Sequence, residues 1–482
     1  MTREEAKALV YGNPEAAVEL ILQLVSTVER LTARVEELER KIALLTRDSS
    51  NSSKPPSPDG PSAKPKARRP MKSKKRQRGG QPGHKGSNRN LIPIEEVNSV
   101  IPVFPESCDD CGEVLPQEPN SDQPTGKYWR HQVVDIPEPK PEVTEYQLHC
   151  IRCSCGAENW GKIPHMARSG FGPRLTAFLA HLTGLHRVTR RGCQEIAKTI
   201  FGIDICLGSV CKLHQEVSES LACAHAKTRQ TLPEQPVLNV DETGWKTQGQ
   251  SRWLWVFVTP AVAFFHVATS RGSKVLGEIL GDGYQGILCS DMYSAYKKFH
   301  DGIRQFCWAH IIRGIKGIKH SCRSPDAVRF SKWMLSETGR MFALWHAFKC
   351  GDLDGQTLVL KSVPVRARMN KCLQQYVQSS DYDVRKASQS LLKHWNGLFT
   401  FLEHEGVEPT NNSAEREARP AVQWRKICFG NQSEDGELLT ARLLTAERSC
   451  ILQERNPFQF LVQSVIAYRN GFPAPSLFYA SW

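Results

Sequence analysis

Hydrophobic positions along this chain change period several times, and each change marks an element. In residues 21–45, Ile21, Val28, Val35 and Ile42 fall seven apart, with Leu24, Leu31, Leu38 and Leu45 at the matching d positions. β-Branched residues at a, leucine at d and charges between, as in "ERLTARVEELERK", predict a parallel two-stranded coiled coil. A single amphipathic helix packed on the body is the alternative. Residues 47–92 are Ser, Pro, Gly, Lys and Arg with almost nothing to bury, which predicts a disordered linker. Residues 172–222 return to helical spacing. There "CQEIAKTIFGIDICLGSVCKLHQEV" breaks at Gly202–Cys206 and resumes near Leu207. A helix–turn–helix and a plain structural helical pair both have that layout.

From Pro236 the period shortens to that of strands. "PVLNVDE" predicts a strand ending on Asp241, and "RWLWVFVTPAVAFFHVAT" two strands joined at Thr259-Pro260. "GSKVLGEILG" is helical, and "GILCSDMYSAY" predicts a short strand ending on Asp291. The order is β-β-β-α-β, with an aspartate closing the first and fourth strands. Residues 321–406 are helical again, and "ASQSLLKHWNGLFTFLEHE" places Leu391, Leu392, Trp395, Leu398, Phe399 and Leu402 on one face.

At 482 residues the chain is long enough for several domains. No apolar run reaches membrane-spanning length, and the N-terminal "MTREEAKALVYG" lacks the apolar stretch of a secretory signal. A cytoplasmic, nucleoid-associated protein is expected. Charge sharpens the picture. Lys64 to Arg89 holds eleven Lys/Arg and no Asp/Glu, so most of the +13 net charge lies in that stretch. Lys64, Lys66, Arg68, Arg69, Lys72, Lys74, Lys75, Arg76, Arg78, His84 and Lys85 form a basic arm suited to nucleic-acid phosphates.

Cysteines add a second chemistry. A Cys108-x-x-Cys111-Gly knuckle is followed by "HCIRCSCG", with Cys150, Cys153 and Cys155. Two tight groups without an export signal predict a structural four-thiolate zinc site of Cys108, Cys111, Cys153 and Cys155, with Cys150 as the alternative fourth ligand.

The acids supply the third. Asp241 and Asp291 lie side by side if their strands are neighbours, and Glu415, in "PTNNSAEREARP", opens a helix. Three converging carboxylates are a donor set for Mg²⁺ or Mn²⁺ in phosphodiester chemistry. Each acid also has a plain structural reading. Asp241 suits a turn cap and Asp291 a helix N-cap. Asn412 with Glu415 has the spacing of a capping box. Glu417, two residues on, points to another side of the helix, which Pro420 is expected to shorten or kink.

The chain resembles bacterial insertion-sequence transposases of the IS-sixty-six type. The resemblance is carried in order by "NSSKPPS", "GGQPGHKG", the CxxCG knuckle, "VDETGW" with "WLWVFVT", "SDMYSAY", "CWAHIIR", and "NNSAEREARP" with "RKICFGNQSEDG". Spacings of 50 residues from Asp241 to Asp291 and 124 from Asp291 to Glu415 agree with a helical insertion before the last acid. The resemblance implies a multidomain α/β protein with a ribonuclease H-like catalytic core. It implies that Asp241, Asp291 and Glu415 are the catalytic, Mg²⁺-binding triad of a DDE DNA transposase. Cys307 and His310 match a Cys-x-x-His motif taken as structural support rather than a zinc site. Asn411, Asn412, Arg416 and Lys426 are expected to shape the site or hold phosphate.

The expected organisation is a coiled-coil dimerisation helix (1–50), a basic linker (51–100), a zinc module (101–165) and a helical DNA-binding region (166–230). The core's first part (231–320), a helical insertion (321–405), the second core part with Glu415 (406–435) and a C-terminal helical segment (436–482) follow. Expected partners are double-stranded DNA at the element ends and target, a second copy of the chain, and small accessory proteins encoded by the same element. A catalytically decayed DNA-binding regulator and a nuclease without strand transfer are the alternatives.

Overall fold

The computed structural model of the protein describes residues 11–45, 90–115, 129–321 and 324–478. The chain divides into two compact units, Lys64–Glu142 and the remainder. All eleven residues of the basic arm lie outside the described residues.

Within Lys64–Glu142, Cys108 and Cys111 share one tight turn. The Cys108 N–H donates to Glu113 O at 2.8 Å, and Gly112 N–H donates back to Cys108 O at 2.9 Å. Gly112 has φ +74°, a left-handed conformation that glycine adopts without a Cβ penalty. Arg130 and Gln132 hold the backbone of Ile92 at 2.7–2.9 Å.

The larger unit begins with α1 (Pro14–Leu45). Its heptad residues Ile21, Leu24, Val28, Leu31, Val35 and Leu38 are all exposed in the single chain. A small hairpin, β1 (Cys150–Arg152) and β2 (Glu158–Trp160), follows. Its turn holds Cys153 and Cys155, closed by a Cys153 N–H to Ala157 O bond of 2.8 Å. Cys150 instead sits in β1, opposite Trp160.

Four helices come next: α2 (Pro173–Gly184), α3 (Arg190–Phe201), α4 (Leu207–Ser220) and α5 (Ala222–Thr231). The break at Gly202–Cys206 is where the sequence places it, with Gly202 at φ +65°. α4 buries Val210, Leu213 and Val217.

The central sheet contains β3 (Val237–Thr247), β4 (Gln250–Val258) and β5 (Ala263–Ala268). α6 (Ser273–Leu280), β6 (Ile287–Ser290), α7 (Ser294–Phe299) and β7 (Arg304–Phe306) follow. The strand order is β5-β4-β3-β6-β7. β3, β4 and β5 pair antiparallel, whereas β3–β6 and β6–β7 are parallel. The β-β-β-α-β order read from the sequence is the one observed. Alternation in β4 builds both faces: Leu254, Val256 and Val258 enter one core, Trp255 and Phe257 the other.

Helices α8 (Trp308–Ser321), α9 (Pro325–Lys349), α10 (Gly355–Tyr376) and α11 (Tyr382–Lys393) follow. They share a core of Phe330, Met334, Met369, Leu373 and Leu391 with the strand residues Ile287, Cys289 and Phe306. The continuous helical face expected over Leu391–Leu402 is not formed. α11 stops at Lys393, and two 3-10 turns, Asn396–Leu398 and Thr400–Leu402, carry the chain onward. Gly397 marks the break: a Cβ there would press into the Phe306 ring.

The chain closes with α12 (Asn412–Cys428), α13 (Glu434–Leu452) and α14 (Pro457–Arg469). Ala414, Ala418 and Ala421 recur along α12 and bring it close to the sheet, in one core with Trp245, Val256 and Phe265. α12 runs on through Pro420 for 17 residues, longer than that proline predicts. α14 is locked to the helical region by Arg469, whose guanidinium reaches Glu216 at 2.7 and 2.9 Å and the carbonyls of Met166 and Phe171. The C-terminal helices share a core with α2, α4 and α5, through Ala177, Val217 and Ala224 beside Leu443 and Leu461. No helix among the described residues is long and apolar enough to cross a membrane.

Two local features yield predictions. After α12 the chain turns through Phe429 (φ +59°) and Gly430 (φ +109°). Asn431 then joins the end of β3 through Asn431 N–H to Lys246 O at 2.8 Å and Gln248 N–H to Asn431 O at 2.9 Å. Its side chain accepts from Trp245 Nε1 and donates to Thr440 Oγ1 at 2.9 Å. A Cβ at 430 would collide with the Lys246 carbonyl, in a backbone conformation that L side chains rarely adopt. Gly430→Ala is expected to cost about 2–3 kcal/mol, read as a lowered denaturant midpoint.

The second feature is Glu447, buried on α13 with His181 Nδ1 at 2.9 Å. Burial pushes its carboxyl from 4.5 up to about 7. The folded chain therefore keeps a proton there that the unfolded chain has released. That stabilisation is complete below about 4.5 and is lost as pH rises through about 7. Relative to Glu447→Gln, the wild type is expected to lose on the order of 2–3 kcal/mol between pH 5 and pH 8. Urea melts at both pH values check it.

Candidate active site

Strand register brings the first two acids together. β3 and β6 pair Val237 with Ile287, Leu238 with Leu288 and Asn239 with Cys289. Two residues further along each chain stand Asp241 and Asp291. Asp241 is not the strand end that the sequence predicts, because β3 continues to Thr247. The polar run Asp-Glu-Thr-Gly breaks the apolar alternation but not the ladder, which needs only backbone groups. Asp241 lies on the same face of β3 as Trp245, the face against which α12 packs.

Asp291 directly follows β6. Its Oδ1 accepts the Tyr293 N–H at 2.8 Å, bracing a turn rather than capping α7, whose N-cap is Tyr293. Glu415 enters from α12. The expected capping box is absent: the N-cap is Asn411, no side chain caps the helix, and Glu415 is the fourth helical residue rather than the third. Its carboxylate is thus free of the role that most naturally competes with chemistry.

Asn411 fixes the helix start. Its backbone N–H donates to Cys307 Sγ at 3.1 Å, and its side-chain amide donates to Val240 O at 2.8 Å, one residue from Asp241. Asn411 Oδ1 remains buried without a partner. Asn412, Arg416 and Lys426 are exposed.

The charges of the other acids reach Asp241. Burial raises the Asp241 carboxyl well above its ordinary range, and the negative charges of Glu242, Asp291 and Glu415 raise it further. Metal-free, Asp241 therefore resists ionisation. A divalent cation would offset both the desolvation and the repulsion, and an all-oxygen donor set is what Mg²⁺ and Mn²⁺ take. The three carboxylates are chemically suited to such an ion, although among the described residues the group whose ligand atoms lie within 4.8 Å of one another is Cys307, His310 and Glu415.

Arg313 on α8 orients Glu415, with His310 of the same helix beside it. Arg313 Nη2 lies 3.3 Å from Glu415 Oε1, and His310 Nδ1 lies 3.4 Å from the same oxygen without hydrogen-bond alignment. Arg313 also donates to His310 Nε2 at 3.0 Å. Cys307, His310 and Glu415 place their ligand atoms within 4.8 Å of one another. The Cys-x-x-His pair of the sequence is thus adjacent to the third acid.

Glu417 is elsewhere. Arg448 on α13 grips it through two bonds of 2.6 and 3.2 Å.

A fourth carboxylate escapes the sequence reading. Glu242 lies on the opposite face of β3, bonded to Arg271 at 2.7 Å and to the Tyr296 hydroxyl. Burial and Asp291 push it up to about 7, against the lowering by Arg271 and Tyr296. Arg271 itself stacks on Tyr293 at 3.9 Å and Trp253 at 4.9 Å. Its one sequence signal is the second acid of "VDET".

Of the predicted zinc ligands, Cys108 and Cys111 occupy one turn in Lys64–Glu142, and Cys153 and Cys155 another turn in the larger unit. Cys155 hydrogen bonding lowers the Cys153 thiol, as Cys111 lowers Cys108.

Comparison with known proteins gives three matches. Residues 168–437 match the model described as "Transposase IS66 family". Residues 3–90 match a family of unknown function. The uncharacterized protein y4qI of Sinorhizobium fredii (strain NBRC 101917 / NGR234) is 22% identical over 431 residues, covering 82% of this chain and 76% of that protein. The matched span 168–437 contains all three acids, the helices between the second and third, and the helical region before the sheet.

Proposed function

Given that the chain belongs to the transposase IS66 family, we propose that it cuts and rejoins DNA at the ends of its own mobile element, using Asp241, Asp291 and Glu415. The observation that carries this reading is that the charges of Asp291 and Glu415 both reach the buried Asp241 carboxyl, an arrangement built by the β3–β6 register and the seating of α12. The mixed sheet, with three antiparallel strands followed by two parallel ones, supports the ribonuclease H-like assignment.

Asp241, Asp291 and Glu415 would hold magnesium or manganese, which would supply Lewis acidity for attack on phosphorus. The chain's own residues do the positioning. Asn411 pins α12 beside Asp241, Arg313 holds the Glu415 carboxylate, and Arg271 with Tyr296 keeps Glu242 in place behind the triad. In the first step, water oxygen bonds to the scissile phosphorus and the P–O3′ bond breaks, the freed 3′ oxygen taking a proton. In the second, that 3′ oxygen attacks a target phosphorus in line, and the target's own 3′ oxygen leaves with the electron pair.

The other modules fit around this chemistry. The basic arm from Lys64 to Lys85 supplies salt-sensitive, largely sequence-independent DNA affinity. The α2–α5 region and the cysteine-bearing zinc module recognise the terminal inverted repeats. The exposed heptad face of α1 pairs two copies, matching two element ends that must be cut together.

A cell-based transposition assay, with a marker between the element's ends, tests the proposal. Wild type is expected to give joined products that Asp241→Asn does not. Nicked ends without joining point to a nuclease. Movement undiminished in Asp241→Asn overturns the site.

A further inference from the structure

We propose that Cys307, His310 and Glu415 form a second metal site, selective for a thiophilic dication such as zinc or cobalt, which withdraws Glu415 from the phosphodiester-cutting site. Their ligand atoms lie within 4.8 Å of one another. Cys307 immediately precedes α8 and His310 lies in its first turn, so their spacing of three puts both on one face. Glu415 meets that face from α12. One sulfur, one imidazole nitrogen and one carboxylate oxygen, with a fourth position left to solvent, is a zinc-like set that magnesium disfavours.

Two further observations support the site. His310 Nδ1 is buried with no hydrogen-bond partner. Cys307 is wholly buried, whereas Glu415 is about a third exposed, which gives an ion its way in. On binding, the Cys307 thiol gives up its proton to solvent, and the sulfur takes the metal in its place. Arg313 guards the site, because its guanidinium bonds both His310 Nε2 and Glu415 Oε1. A dication bound by Cys307, His310 and Glu415 repels and displaces it. Sequence motif alone suggests only structural support for this pair; the added ligand is Glu415, 105 residues beyond His310.

The competition with magnesium rests on the proposed role of Glu415, whereas the site itself does not. By linkage, a thiophilic ion that engages Glu415 weakens binding of the hard ion, and the reverse.

The test uses the full chain. Cobalt is titrated into wild type, Cys307→Ala and Arg313→Gln, with circular dichroism to confirm folding. The wild-type spectrum minus that of Cys307→Ala is expected to show thiolate-to-cobalt charge transfer for one extra cobalt. Thiolates elsewhere cancel in that difference. Arg313→Gln is expected to bind the same cobalt more tightly. If Cys307→Ala does not fold, His310→Gln replaces it, with the same loss expected. Identical cobalt uptake and spectra in folded wild type and variant overturn the site. Manganese binding, followed by electron paramagnetic resonance, tests the competition. Zinc is expected to weaken it at least about tenfold in wild type, the lower end of what even an outer-sphere partner costs, and not in Cys307→Ala. Unchanged manganese binding beside a filled zinc site overturns the competition. Manganese binding that survives Glu415→Gln undiminished instead overturns the catalytic reading of Glu415.

Discussion

Asp241→Asn and Glu415→Gln are each expected to lower DNA strand cleavage by about a thousandfold or more, the scale at which single members of a catalytic constellation are felt. The fold should survive both. Asp241 sits where burial and three neighbouring charges already oppose its ionisation, so a neutral amide of the same shape relieves the metal-free protein. Its thermal midpoint without metal is therefore expected to hold or rise. Glu415→Gln keeps the α12 backbone, which is anchored by Asn411 rather than by the glutamate side chain. Cleavage lost with stability retained separates a catalytic carboxylate from a structural one. A single-turnover cleavage assay on end-sequence DNA, run beside thermal melts with and without Mg²⁺, checks both halves.

Glu417→Ala is expected to do the reverse. Its side chain is 2% exposed and meets Arg448 through two short bonds. Removing one partner of a buried ion pair leaves the other charge uncompensated and costs about 3–5 kcal/mol. The loss falls on the joint between α12 and α13, so the denaturation midpoint should drop sharply while Mn²⁺ affinity of the remaining folded protein stays unchanged. Arg448→Met removes the other charge and is expected to cost a similar amount. A double change of Glu417 and Arg448 to apolar residues should cost less than either single change, because no lone charge remains. The two glutamates, two residues apart on one helix, would thus report opposite things: Glu415 in catalysis, Glu417 in stability.

How far these roles were legible depends on the range of the interaction. Local periodicity found the heptads of α1, the order of β3 to β6 and the break before α4, because each rests on side chains within a few residues. Asp291 was legible for the same reason, whereas Asp241, read as a strand end, lies inside a β3 that continues to Thr247. Both follow apolar strand segments, and parallel pairing places them together once β3 and β6 are neighbours. Glu415 was ambiguous, since the same spacing suits a capping box; only the observed N-cap at Asn411 separates the readings. The rest was hidden by sequence distance. Glu242 reaches Arg271 and Tyr296 across the sheet, Asn411 reaches Val240, and Arg469 reaches Glu216 from the far end of the chain. Such pairs leave no periodic trace. The helical face predicted through Leu402 failed for a tertiary reason: Gly397 must pass against Phe306, and the chain yields to 3-10 turns there.

The central claim is that three carboxylates from β3, the end of β6 and α12 jointly hold divalent metal. Anomalous diffraction from crystals of the full chain soaked in Mn²⁺ tests it most directly. The account predicts manganese within coordination distance of the Asp241, Asp291 and Glu415 carboxylates, and its loss in Asp241→Asn. Manganese bound elsewhere, or the same peak persisting in Asp241→Asn, would contradict it.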